Sequence, residues 1–164
     1  MRRRIFIAIN LPQDVKKELA LLQAKWPELP CRWTKPENLH ITLEFLGYVN
    51  DEELPEVFQR CKELAEKKKP FQVKLDRAVY GPPAKMPPRM VWVTGERIEQ
   101  FGLVPHVTLG RIRTWDWRRI EPEERPEIEE ETNLIFDVGS IEVMESRLKK
   151  GGPEYIVLES FSFK

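Results

Sequence analysis

The sequence predicts an α+β fold with largely antiparallel sheets and flanking helices. Strand-like and helical segments are mixed without strict β-α alternation, which argues against a doubly wound parallel sheet. Apolar residues alternate along several segments, the mark of a half-buried strand. The C-terminal stretch reads as a hairpin, Phe136 to Arg147 and Tyr155 to Phe163, joined through Lys149-Lys150-Gly151-Gly152-Pro153.

The elements follow in order. Ile5 to Ile9 is a short apolar run ending at Asn10-Leu11-Pro12, hence a buried strand. A helix opens at Asp14, keeps Val15, Leu19, Leu22 and Trp26 at helical spacing, and stops before Pro27. Cys31 to Thr34 is a short strand, and Leu39 to Leu46 a longer one closed by Gly47. Asn50 or Asp51 caps a second helix, with Glu53 completing a capping box from Asn50. Its inward face carries Leu54, Val57, Phe58, Cys61, Leu64 and Ala65; Lys67-Lys68-Lys69 is solvated and Pro70 ends the helix. Phe71 to Tyr80 alternates as a strand. Gly81 to Pro88 holds four prolines and is an extended loop. Strands follow at Arg89 to Thr94 and His106 to Arg113, and the acidic Glu121 to Glu131 is a surface connection with a turn or two of helix.

Composition narrows the function classes. The 164 residues include 27 Lys plus Arg and 27 Asp plus Glu, so the formal net charge is zero. Coating long nucleic acid depends on many phosphate contacts, whereas this balance suits an enzyme that grips one end. Cys31 and Cys61 have no C-x-x-C spacing, and the two Cys and two His are too scattered for a zinc site of about four ligands. No apolar run approaches the roughly 20 residues that span a bilayer. A monomeric cytoplasmic protein with reduced thiols and no cofactor is the expectation.

Both histidines of the chain sit in one repeated motif, His40-Ile41-Thr42-Leu43 and His106-Val107-Thr108-Leu109. In a strand, alternate side chains share a face. His40 and Thr42 then point one way, while Ile41, Leu43 and Phe45 anchor the strand in a core. His106 and Thr108 do the same above Val107 and Leu109. Two imidazoles and two hydroxyls facing one another across a groove suit a phosphodiester. Hydroxyls stabilise charge on nonbridging oxygens, and imidazoles titrate near neutrality, one as acid and one as base.

Around these motifs the sequence resembles the two-histidine phosphoesterase superfamily, and within it the RNA 2′,3′-cyclic phosphodiesterases, also called 2′-5′ RNA ligases. The resemblance covers nearly the whole chain. It runs through Ile5-Phe6-Ile7-Ala8, Leu11-Pro12, Trp33 and Glu37 to Gly47, then Pro88-Arg89, Trp92 and Pro105 to Arg111. It closes with Glu145 to Leu148, Gly152-Pro153 and Tyr155.

The resemblance implies one domain over residues 1–164, made of two lobes with an internal pseudo-twofold, each lobe contributing a motif. It implies hydrolysis of an RNA 2′,3′-cyclic phosphate to a 2′-phosphate, with His40 as proton donor and His106 as proton acceptor. Thr42 and Thr108 would hold the phosphate. Joining of tRNA halves through a 2′-5′ linkage is compatible with the same groups. Family members usually carry a helix before the second motif; here Gly95 to Pro105 leaves room for about two helical turns at most.

Arg111 and Arg113 resemble basic residues that follow the second motif in the family, with Arg111 the candidate RNA contact. Strict alternation points it away from the His106 face, so a direct role requires a bulge. Glu44 shares the face of His40 and Thr42 by the same counting and is a candidate to orient an imidazole. Trp33, Trp92, Trp115 and Trp117 are candidates for a base-stacking platform, with packing the commoner role. Two other functions fit the motifs: a phosphodiesterase acting on a small cyclic nucleotide such as ADP-ribose cyclic phosphate, and a module that binds phosphate ends without turnover. A metal-dependent nuclease is disfavoured, because no carboxylate-histidine ligand cluster accompanies the motifs.

Overall fold

The computed structural model describes residues 1–164. Nine strands form one sheet: β1 (Arg2–Asn10), β2 (Cys31–Trp33), β3 (His40–Asn50), β4 (Phe71–Gly81), β5 (Met90–Gly95), β6 (His106–Ile112), β7 (Glu129–Val138), β8 (Ser140–Lys149) and β9 (Gly152–Ser162). The helices are α1 (Gln13–Gln23), α2 (Leu54–Glu66) and the short α3 (Thr114–Arg118). No helix is long and apolar enough to cross a membrane.

The strand order is β7-β4-β5-β6-β3-β1-β8-β9, with β2 on β6, and every pairing is antiparallel. The order divides into two halves of four strands, each with its motif strand innermost. The halves meet at a single pair, Ile41 opposite Val107. Both side chains are fully buried, each worth roughly 1.5–3 kcal/mol of apolar burial. One core cluster of 31 residues runs across this seam and takes in Val15, Leu19 and Leu22 of α1 and Cys61 and Ala65 of α2. The Asn50–Glu53 capping box is present, closing a 3-10 turn that leads into α2.

Several boundaries differ from the sequence reading. Strand β3 continues past Gly47 to Asn50; Gly47 has φ +74° beside a register shift, so it bends the strand instead of ending it. Residues Glu129 to Glu131 begin β7. The stretch from Phe136 to Arg147 is two strands, because Gly139 breaks it. Phe136 and Val138 are buried before the break and Ile141 and Val143 after it, so the inward set changes from even to odd numbers. Helix α3 lies between the expected strand and the expected connection, where no element was assigned, and β6 ends at Ile112.

The segment before the second motif contains no helix. Ile98 and Leu103 exchange backbone hydrogen bonds of 2.7 and 3.3 Å around a tight turn, in which Gly102 supplies φ +61°. Phe101 in that turn packs against Phe71 and Phe163, with ring centroids 6.0 and 6.2 Å apart. A small aromatic plug thus stands where the resemblance leads one to expect a helix.

Candidate active site

The Ile41–Val107 pair fixes the site. With those residues opposite each other on antiparallel strands, the register sets His40 across from Thr108 and Thr42 across from His106. In a regular ladder, opposite side chains lie about 5 Å apart and diagonal ones about 7–8 Å. The imidazoles therefore occupy one diagonal of a square and the hydroxyls the other. Because Ile41 and Val107 both point into the core, all four polar side chains share the other face, and all four are half-buried.

The two imidazoles are held differently. The His40 ring nitrogen Nδ1 lies 2.6 Å from the Asn38 carbonyl oxygen. A carbonyl only accepts, so Nδ1 carries the hydrogen and Nε2 is the titrating nitrogen. Nε2 lies 2.8 Å from Thr42 Oγ1. The Asn38 side chain is buried and donates from Nδ2 to the Pro153 carbonyl at 2.8 Å, and its Oδ1 accepts the Tyr155 amide at 3.4 Å. It thereby ties the 3-10 turn before β3 to the start of β9. Phe6 and Tyr155 flank the His40 ring at 5.0 and 5.2 Å.

His106 makes no hydrogen bond within the protein through either ring nitrogen. It stacks on Trp92 instead, with centroids 4.0 Å apart and planes 18° from parallel. The indole lies over Gly81, where a Cβ would stand 2.3 Å from it. Its Nε1 is buried without a partner, so the ring gives up a hydrogen bond to hold this position. Just before the motif, Thr94 Oγ1 donates to the Pro105 carbonyl at 2.8 Å and fixes the lead-in to β6.

Burial depresses the pKa of both imidazoles. For His40, desolvation outweighs the Asn38 bond, which acts upward, while the charges of Lys16 and His106 add to the depression. For His106 desolvation is the cause. Neutral forms are therefore favoured until an anion arrives.

Two bulges decide which neighbours join the site. Strand β1 pairs Ala8 with Thr42 but Ile7 with Glu44, so Leu43 is an extra residue. The bulge turns Glu44 to the opposite face, where it accepts a hydrogen bond from Arg60 at 2.8 Å. Glu44 is thus not an orienter of His40. The same shift pairs Phe45 with Phe6 and leaves it 74 % exposed beside the site, not in the core. On β6, Trp92 pairs with Thr108 and Val91 with Gly110, which makes Leu109 extra. Arg111 then falls opposite Met90, on the His106 face, as its candidacy required.

Of the tryptophans, only Trp92 reaches the motif residues. Trp33 stacks on Trp26 at 6.4 Å, Trp117 is buried, and Trp115 is exposed. Asn38, Phe6 and Tyr155 had no assigned role in the sequence reading, since nothing local marks a residue that acts through backbone atoms or ring packing. No three His, Cys, Asp or Glu side chains converge as a ligand set.

The comparisons agree with this architecture. The model for LigT-like phosphoesterases matches residues 9–92. An RNA 2′,3′-cyclic phosphodiesterase of Thermus thermophilus is 34 % identical over 185 aligned positions, covering 98 % of this chain and 90 % of the relative. This chain belongs to the LigT-like phosphoesterase family. Another relative, the RNA 2′,3′-cyclic phosphodiesterase of Methanocaldococcus jannaschii, is 26 % identical across 96 % of this phosphoesterase and 99 % of its own length. Among solved structures, TT0787 of Thermus thermophilus superposes with a TM-score of 0.84 at 27 % identity, over 98 % of this chain and 97 % of that one. Escherichia coli LigT complexed with phosphate shares the fold, with a TM-score of 0.77 at 24 % identity over 99 % and 98 % of the two chains.

Proposed function

We propose that this phosphoesterase opens the terminal 2′,3′-cyclic phosphate of an RNA to a 2′-phosphate, by paired-histidine acid–base chemistry that needs no metal ion. The observation that carries the reading is the antiparallel register about Ile41 and Val107, which sets an imidazole opposite a hydroxyl on either side of that pair. The names of its relatives, RNA 2′,3′-cyclic phosphodiesterases aligned over nearly the whole chain, point to the same substrate.

Water attacks phosphorus on one side and His106 takes its proton. The P–O3′ bond breaks on the other side, and protonated His40 gives its proton to the departing oxygen. The O2′–P bond survives, which makes the product a 2′-phosphate. Diagonal placement of the two rings suits this in-line path. Thr42 and Thr108 donate to the nonbridging oxygens, where charge builds. Protonated His40 donates from Nε2 to Thr42 Oγ1 before reaction, which frees the Thr42 hydrogen for the phosphate. Arg111 holds RNA phosphate at the edge of the square. With an RNA 5′-hydroxyl in place of water, the same steps give a 2′-5′ linkage, as in joining tRNA halves.

The test is kcat/KM against pH on a short RNA with a cyclic end. A bell is expected, one limb from the base that must be neutral and one from the acid that must be protonated. Both free-enzyme pKa values lie below the ordinary histidine value, so the maximum falls below about pH 6.5. Absence of turnover at every pH contradicts the substrate. A flat profile from about pH 5 to about pH 8 contradicts the acid–base pair.

A further inference from the structure

Strand β2 pairs with β6 so that Arg32 stands directly opposite Arg111. Cys31 is buried and Trp33 packs on Trp26 in the core, so Arg32, between them, points to the opposite face. That is the face on which Arg111 and the four motif residues lie. Like charges directly opposite on neighbouring strands repel. Neither guanidinium forms an ion pair or a hydrogen bond within the protein, although Arg3, Arg60, Arg113 and Arg147 all have carboxylate partners. Two arginines on facing positions thus leave their guanidinium donors unused by the protein, in the fork geometry that suits phosphate.

The hairpin of the other half closes the same spot. Gly152, at φ +115°, lies so near that a Cβ on it would be 3.0 Å from an Arg32 Nη atom. A Cβ on Gly151 would be 3.3 Å from Lys35 Nζ. Arg32 therefore reaches across the seam to the β8–β9 turn, where the positive φ of Gly152 favours glycine.

We propose that Arg32, paired with Arg111, forms a second phosphate subsite that takes the phosphodiester on the 5′ side of the terminal nucleotide. This rests on the proposed RNA-end reaction and specifies its substrate: an oligonucleotide is selected over a lone nucleoside cyclic phosphate. The cyclic phosphate occupies the square of His40, Thr42, His106 and Thr108. The next phosphate along the strand occupies the arginine pair, and its negative charge removes the repulsion between them.

The test compares kcat/KM for a nucleoside 2′,3′-cyclic phosphate with that for a dinucleotide carrying the same cyclic end. The wild-type protein is expected to prefer the dinucleotide. Arg32→Gln should shrink that preference at least tenfold, Arg32→Lys should shrink it less, and the salt slope for oligonucleotide binding should fall by about one. Equal losses on both substrates, or no loss on either, overturn the subsite. A wild-type preference for a 5′-phosphorylated nucleoside cyclic phosphate over the dinucleotide, erased by Arg32→Gln, also overturns it, because a monoester would then be the ligand. If the wild type turns over neither cyclic compound, the proposed reaction is wrong. Anisotropy of a labelled oligonucleotide ending in a 2′-phosphate then decides the subsite alone: weaker binding by Arg32→Gln supports it, and unchanged binding overturns it.

Discussion

His40→Ala and His106→Ala are each expected to lower turnover of an RNA cyclic-phosphate end by at least about a hundredfold, the scale for losing a general acid or base. In the proposed mechanism the two rings act on one phosphate in one step, so the double variant should be scarcely slower than the worse single one. The pH profiles should separate the roles: each single variant loses one limb of the bell. Loss of the His40 ring also leaves a gap between Phe6 and Tyr155. For that reason His40→Gln, which keeps more of the volume, is the companion variant, with thermal unfolding measured alongside the rates. Near-normal rates in either folded histidine variant contradict the mechanism.

The second large effect is expected at the hydroxyls. Thr108→Val should reduce kcat by about a hundredfold, the loss typical of one donor aimed at developing oxyanion charge. Thr42→Val should cost at least as much and differ in kind. Thr42 Oγ1 also bonds His40 Nε2 at 2.8 Å, so its removal should move the pH limb that belongs to His40, whereas Thr108→Val should scale the whole profile down without moving it. Steady-state rates across the pH range distinguish the two. Equal profiles for both variants would remove Thr42 from any role in holding the imidazole.

The elements that carry the site were legible because their signals are local. Alternation alone placed His40 with Thr42 and His106 with Thr108, and set Ile41 and Val107 inward. The capping box from Asn50 to Glu53 was likewise readable as a spacing. The bulges were not. The extra residues, Leu43 and Leu109, are leucines that look inward-facing under simple alternation, so the hydrophobic pattern carries no trace of the shift. That is why Glu44 read as a site residue and Phe45 as core, and why Arg111 read as pointing away. The partner of each motif strand is a matter of long-range register, which no local spacing encodes. The Gly139 break was visible in principle, since the inward positions change phase there, but a single glycine between two apolar stretches also reads as a bulge within one strand.

The most direct test of the central claim is the identity of the product end. A short RNA ending in a 2′,3′-cyclic phosphate is incubated with the protein in EDTA, and the terminus is identified after the reaction. A 2′-phosphate formed at an undiminished rate is the expected result, because in the proposed mechanism His106 activates the water and His40 protonates O3′ without help from a metal. A 3′-phosphate, or a cyclic end left intact in EDTA but opened when divalent metal is restored, would contradict the account.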